Sequence, residues 1–301
     1  DDSRQEYETL FANQTIEAQW KKSGLCYVMQ SEKGVDEFSS FSDVLSEYFN
    51  TKAQYIDGND LPEFDPALKS GLAGGFYYKN DASLSPHELL NNWTKNLTDK
   101  GLKVREHCQL MQVNKSANQV TSILTSQGEI EADYFVFATG AWSSLLAKEL
   151  NCKIPVEPCK GYSVTVDRPE VCPQVPMLFS EHMVGVTPFD ETLRLGSMVE
   201  FSGFDSQIPT TRINQLYQSA SPYLKSKLST KNEKPWFGWR PMTWDSLPII
   251  GHVPKYNNTI LATGHNMLGM TLAPATGKMV ASLLAGETPE VDPSPYSPGR
   301  F

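Results

Sequence analysis

The apolar positions change period several times along the chain, and each change marks an element. Residues 1–50 are acidic and mostly helical in pattern, with Phe41, Val44, Leu45 and Tyr48 at three-to-four spacing along one stripe. Leu61-Pro62 and Asp65-Pro66 break that pattern, and Gly71-Leu-Ala-Gly-Gly-Phe-Tyr-Tyr78 reads as a glycine-rich turn feeding a short aromatic strand. A helix follows: Ser85 is its N-cap, Pro86 its first residue and Glu88 the partner in a capping box, while Leu89, Leu90, Trp93 and Leu97 supply its buried stripe. Gly101 ends it. Between Lys103 and Glu131, short β-type segments separated by turns at 114–118 and 126–128 predict an antiparallel meander. Tyr134-Phe-Val-Phe-Ala138 is apolar on both faces and predicts a central strand of a parallel sheet covered by helices.

Beyond Pro155 and Pro158 the pattern returns to strands at Gly161 to Val166, Leu178 to Val186 and Leu193 to Val199, followed by a helix near Thr211 to Leu228. These predict a second, antiparallel domain. The chain then passes through Trp236-Phe-Gly-Trp-Arg-Pro241 to a buried strand, Thr259 to Thr263, and a long helix from Thr271 to Leu284 closed by Gly286. Pro289, Pro293, Pro295 and Pro298 predict an extended strap at the end. The expected division is 1–84 and 158–244 in one domain, 85–157 and 245–301 in the other.

Composition narrows the classes of partner. With 301 residues, 40% of them hydrophobic, the chain can bury a sizeable core, and its net charge of −9 with no run of Lys or Arg excludes a nucleic-acid surface. Substrates are therefore expected to be small. No apolar stretch approaches the about 18 residues of a spanning helix, and Asp1-Asp2-Ser3-Arg4 does not resemble a signal peptide. The expectation is a cytoplasmic protein, with a peripheral place at the inner membrane as the second location. Five cysteines, odd in number and without a C-x-x-C pair, suit reduced packing thiols, and no metal site is expected.

Two segments carry candidate chemistry. Phe137-Ala-Thr-Gly140 and Leu261-Ala-Thr-Gly264 are near copies, each closing an apolar strand and opening toward a helix. In open parallel sheets such strand ends bind anionic ligands, because a glycine lets the backbone come close and a helix N-terminus offers free N–H groups. Gly264 to Thr271 lies ahead of the second helix, and His265 either faces the ligand or is a hydrogen-bonded structural histidine. Arg240 is a lone cation amid Trp236, Phe237, Trp239 and Met242, a setting that demands an anionic partner. Pro241 pushes it toward an extended backbone. Its planar fork suits a substrate carboxylate; an internal ion pair with an Asp or Glu of the chain is the alternative. Tyr78 and Tyr162 are weaker candidates for substrate contact, since strand aromatics usually pack in cores.

Gly238-Trp-Arg-Pro-Met-Thr-Trp-Asp-Ser-Leu-Pro-Ile-Ile-Gly251, Leu261-Ala-Thr-Gly-His265, Leu268-Gly269, Thr271 and Ala273-Pro-Ala-Thr-Gly277 together resemble the C-terminal signature of the D-amino-acid oxidase superfamily of FAD enzymes. Glycine oxidase and the D-amino-acid dehydrogenases of small-subunit type are the nearest, and Ala138-Thr-Gly-Ala-Trp142 also matches. Element order agrees over nearly the whole chain, but only the part from Gly238 onward is specific. The resemblance implies an α/β fold: an incomplete FAD-binding domain of the glutathione-reductase-like type, with parallel sheet and β-meander, plus an antiparallel-sheet substrate domain. It implies non-covalent FAD, since no cysteine lies in the arginine motif, bound by Val113, Thr139, Gly140, Trp142, Gly264, His265, Leu268, Gly269, Met270 and Thr271. Arg240 and His265 are the implied catalytic residues, with Arg240, Tyr78 and Tyr162 around the substrate.

Two departures shape the expectation. No G-x-G-x-x-G occurs, so the chain is expected to begin downstream of the fingerprint that grips the FAD pyrophosphate, with a missing segment or a partner chain supplying it. Where glycine oxidase carries a further arginine, this sequence has Asn266, Met267 and Leu268, which favours the dehydrogenase-like branch. The expected reaction is oxidation of the C–N bond of a small amino acid, a D-amino acid or glycine, to an imine by hydride transfer to flavin N5, with oxygen or a quinone or carrier as acceptor. An N-methyl amino acid, proline or hydroxyproline is the alternative substrate. A non-catalytic subunit or remnant without FAD is the alternative of another class.

Overall fold

The computed structural model describes residues 2–13 and 16–301; the first residue of the acidic stretch, Asp1, lies outside the described residues. The first part of the chain forms α1 (Asp2–Asn13), β1 (Leu25–Met29), α2 (Glu32–Phe49), β2 (Gln54–Asp57), α3 (Leu61–Phe64) and β3 (Gly74–Tyr78). There follow α4 (Pro86–Asp99), β4 (Leu110–Ser116), β5 (Gln119–Thr125), β6 (Gly128–Glu131), β7 (Phe135–Phe137) and α5 (Ala147–Leu150). Next come β8 (Val156–Asp167), β9 (Met177–Phe179), β10 (Val184–Pro188), β11 (Thr192–Glu200), α6 (Thr210–Ala220) and β12 (Lys234–Thr243). The chain ends through β13 (Ile249–His252), β14 (Thr259–Thr263) and α7 (Gly269–Ala285).

These strands build three sheets. The largest has the order β12-β8-β11-β10-β9-β1-β3-β2 and is antiparallel except where β1 runs parallel to β9. A second, β13-β14-β7, pairs β14 with β7 in parallel, and β4-β5-β6 is the antiparallel meander. The fold is thus mixed α/β, with a large mixed sheet beside a parallel pair and a meander. On one face of the large sheet, Tyr162, Val164, Val166, Leu193 and Leu195 pack against Ile213, Leu216 and Ala220 of α6. A separate core joins Phe135, Phe137, Leu150, Ile249 and Leu261 around the smaller sheets. Burying a Leu, Ile or Phe side chain contributes about 1.5–3 kcal/mol before the entropy of ordering is set against it.

Several local expectations need correction. The first 50 residues are mostly helical, as expected, but β1 interrupts them, because Leu25-Cys-Tyr-Val-Met29 pairs with both β3 and β9. On α2 the buried face carries Val35, Phe38 and Leu45; of the expected stripe only Leu45 is on it, and Phe41, Val44 and Tyr48 are exposed. Ser42 is buried between them because its hydroxyl accepts from Tyr78. On α4 the Ser85 oxygen accepts from Glu88 N as a cap, but the Glu88 carboxylate bonds Gln19 instead of closing the box, and Leu90 is exposed. The segment 178–186 is a hairpin, turning at Met183, whose φ is +51°. Helix α6 stops at Ala220: Ser221 keeps helical dihedrals and donates to the Tyr217 carbonyl, but Pro222 has no N–H to carry the ladder further.

Strand β7 is an edge strand, with Val136 and the preceding Tyr134 exposed, so one face of this apolar run is uncovered. The proline-rich tail folds into short 3-10 turns at Ser294–Tyr296 and Pro298–Arg300 instead of an extended strap. There Arg300 Nε donates to Asp245 at 2.8 Å, which holds the Asp245 carboxyl below its usual range. All five cysteines are free thiols. Among the described residues no helix is long and apolar enough to cross a membrane, and no group of His, Cys, Asp and Glu is set to hold a metal.

Candidate functional site

Because β14 and β7 are parallel neighbours, the two Ala-Thr-Gly turns emerge side by side at their carboxyl ends. A chain of hydroxyls ties them together. Ser143 Oγ lies 2.8 Å from Thr139 Oγ1 and 2.7 Å from Thr263 Oγ1, and Thr263 Oγ1 donates to the Gly140 carbonyl at 3.1 Å. Ser143 is fully buried, so losing its hydroxyl leaves two threonine groups short of a partner. Ser143→Ala is expected to cost about 1–3 kcal/mol in urea unfolding, with no change in the solvent-exposed surface reported by the m-value.

Both turns need glycine for its freedom at positive φ, +54° at Gly140 and +73° at Gly264. After the first turn the chain runs into a helix, as expected, of the 3-10 type over Gly140–Leu146. Trp142, half exposed within it, stacks on Phe204 at 6.0 Å and meets Trp239 edge-on at 5.5 Å. After the second turn α7 begins at Gly269, and among the described residues no side chain caps its N-terminus. The first-turn N–H groups of Gly269, Met270 and Thr271 therefore keep the positive end of the helix dipole available, beside the exposed Met267 and Leu268. Tyr7 on α1 steadies this turn by donating to the Met270 carbonyl at 2.6 Å.

His265 sits between the turn and the helix, half-buried, with Nε2 2.9 Å from Thr276 Oγ1. Burial pushes its pKa below the ordinary imidazole value. The unfolded chain takes up a proton as pH falls through about 6.5 while the folded chain does not, so His265 lowers stability below that pH and has no such effect above it. Its C2 proton resonance should titrate with a midpoint lower than a free imidazole's. His265→Asn should lessen the loss of stability between about pH 6.5 and 5; a midpoint at or above the free value removes this account.

Arg240 comes to the same place by another route. The Asn266 N–H donates to the Pro241 carbonyl at 3.1 Å, and the Asn266 side chain accepts from Thr243 N at 2.9 Å and donates to the Gly264 carbonyl at 3.0 Å. The end of β12 is thus bound to the Gly264 turn one residue from the arginine. Arg240 is half-buried, its Nη1 donates to the Met198 carbonyl at 2.8 Å, and the buried Cys159 thiol rests against it. Among the described residues no carboxylate lies within ion-pair distance of Arg240, so the internal pair weighed as its alternative is absent.

The two tyrosines lie elsewhere. Tyr78 is buried beneath α2 with its hydroxyl on Ser42, and Tyr162 points to the α6 side of the sheet, the face opposite to Arg240, with its hydroxyl 3.2 Å from Glu200. Val113 is a core residue of the meander whose N–H donates to Glu149. Sequence reasoning missed Ser143, Thr243 and Thr276 and treated Asn266 only as a departure from pattern. Their signal is a small hydroxyl or amide residue within a few positions of each glycine turn, but which of them meet depends on the parallel pairing of β7 with β14.

The model of the FAD-dependent oxidoreductase family termed DAO matches residues 1–283. The chain belongs to the DAO family. A D-amino acid dehydrogenase of Vibrio atlanticus is 30% identical over 293 residues, covering 93% of this chain and 68% of that protein. Glycine oxidase from Geobacillus kaustophilus has the same fold, with a TM-score of 0.88 at 23% identity over 98% of this chain and 79% of its own. L-proline dehydrogenase from P. horikoshii superposes with a TM-score of 0.83 at 20% identity, over 100% of this DAO chain and 81% of its own.

The residues present fit the cofactor of the DAO family. A Cβ at Gly140 would meet nothing within 4 Å, which leaves open space at the first turn, and the uncapped start of α7 offers N–H donors at the second. An anionic group bound there would gain from both close backbone approach and the helix dipole.

Proposed function

We propose that this chain oxidises the C–N bond of a small amino acid, a D-amino acid first of all, to an imine with non-covalent FAD. In this reading 1–84 and 158–244 form the substrate side, and 85–157 with 245–301 the cofactor side. The observation that carries it is Arg240: a half-buried guanidinium with no carboxylate partner among the described residues, fixed next to the Gly264 turn. A cation so placed is stabilised when an anion joins it, and its fork matches a carboxylate.

Thr139, Gly140, Trp142, Gly264, His265, Leu268, Gly269, Met270 and Thr271 would hold the FAD, with Val113 contributing from the meander. Bound there, the FAD supplies the two-electron acceptor for the hydride leaving the substrate Cα. Arg240 holds the carboxylate, which fixes the direction of the Cα–H bond. His265 is kept neutral by burial, so it adds no positive charge to repel the substrate amine. The Trp142, Phe204 and Trp239 cluster packs on the face of β12 opposite to Arg240.

A substrate panel of D-alanine, D-phenylalanine, glycine, N-methylglycine and L-proline, run with dichlorophenolindophenol and with oxygen, tests the reading. Turnover of the D-amino acids with the dye is expected. Preference for N-methylglycine or L-proline would move the assignment to those substrates, and a full-length protein without flavin absorbance would end it.

A further inference from the structure

We infer that Gly161 is a positioning residue for the Arg240 guanidinium, an inference that rests on the substrate-anchor reading above. In the large sheet, Gly161 of β8 pairs with Gly238 of β12 on one side. On its other side β11 is irregular: Ser197 pairs with Tyr162 and Glu200 with Lys160, so Met198 and Val199 together face Gly161. Two residues against one is a β-bulge, which twists the strand and re-aims its carbonyls. Met198 sits there at φ +76°, and its carbonyl accepts from Arg240 Nη1 at 2.8 Å. The arginine side chain therefore leaves β12, crosses over β8 and ends on β11.

What it crosses is bare backbone. A Cβ at residue 161 would lie 2.0 Å from Nη1, 2.4 Å from Nη2 and 2.5 Å from Cζ of Arg240. The space a side chain would take is filled by the guanidinium itself, lying on the peptide of Gly161. The plane of the fork is fixed from below by that peptide and at one edge by the Met198 carbonyl, and the remaining N–H groups are left for a carboxylate. Gly161 is not at positive φ, so its backbone conformation gives no other reason for glycine here. Held in this way the guanidinium loses little freedom when the carboxylate arrives, which is where preorganisation gains affinity.

Gly161→Ala decides the matter in the flavin-loaded protein. The added methyl collides only with the far end of a flexible side chain, so the guanidinium swings away and the sheet persists. The expected result is a rise of about tenfold or more in KM and in the dissociation constant of propionate by calorimetry, with kcat at saturation changed much less. Gly238→Ala is the control, because its Cβ would overlap the exposed Trp236 ring and not Arg240. That variant should keep normal propionate affinity. In an Arg240→Leu background, Gly161→Ala should have no further effect, since the coupling runs through the guanidinium.

Wild-type propionate affinity in Gly161→Ala, with Arg240→Leu still impaired, overturns the positioning role and leaves the anchor standing. An equal loss in both backgrounds, or a Gly161→Ala chain that fails to fold where Gly238→Ala folds, assigns the glycine to sheet packing and also overturns it. If Arg240→Leu itself binds propionate normally, the anchor falls and the positioning role falls with it.

Discussion

Replacing Arg240 by leucine is expected to raise KM for the amino-acid substrate by roughly 30-fold to several thousand-fold, the equivalent of about 2 to 5 kcal/mol. The range is set by how far the pair is removed from water. Arg240 is half-buried, with one nitrogen already on the Met198 carbonyl, so the lower half of the range applies if bound substrate stays hydrated. Leucine keeps the volume of the stem but offers no donor. Arg240→Lys keeps the charge without the fork and should fall between the two. Because no carboxylate of the chain depends on this arginine among the described residues, folding should change little in either variant. Steady-state kinetics beside a thermal melt check both halves, and unaltered KM in the leucine variant removes the anchor.

Much of the fold could be read from the chain because its elements are locally consistent. Ser85 caps α4, Gly286 takes the left-handed conformation after α7, and the turns of the meander fall where Asn, Ser and Gly cluster. The errors arise where tertiary pairing overrides local pattern. The buried face of α2 is chosen by Tyr27 and Phe76 of the sheet, whose rings pack at a tilt against Phe38, and not by the alternative stripe through Phe41 and Tyr48. β1 is short and easily absorbed into a helical reading until its two neighbours are known.

The candidate site divides in the same way. The twin Ala-Thr-Gly turns and the lone arginine stand out in one dimension because glycine and an isolated cation are informative residues. Their supports do not: Ser143, Thr243, Asn266 and Gly161 are ordinary in sequence and acquire meaning only when β7 meets β14 and β12 meets β8. Tyr162 shows the limit most plainly. It lies on β8, the strand that the Arg240 side chain crosses, but side chains alternate across a sheet, and register puts it on the other face.

Register also separates the two turn glycines, which look alike in sequence but should respond differently to alanine. At Gly264 the new methyl would lie 2.7 Å from Thr243 Cγ2 and 3.4 Å from Ile249, both buried, in a backbone held at φ +73°. Thr243 cannot turn away without disturbing the bonds that tie β12 to the turn, and Ile249 closes the other side, so a loss of about 2–4 kcal/mol is expected. At Gly140 the φ is +54° and the methyl would meet nothing within 4 Å, so only the backbone strain of about 1 kcal/mol applies. The open space there is where the FAD is expected to lie, and the Gly140 methyl should therefore displace flavin from a chain that still folds. Urea unfolding separates the two variants by stability, and the flavin-to-protein absorbance ratio after dialysis separates them by retention. Equal unfolding midpoints would remove the packing argument at Gly264. Full flavin retention in Gly140→Ala would move the cofactor away from the first turn, because a methyl group cannot share that space with a ligand in van der Waals contact with the backbone.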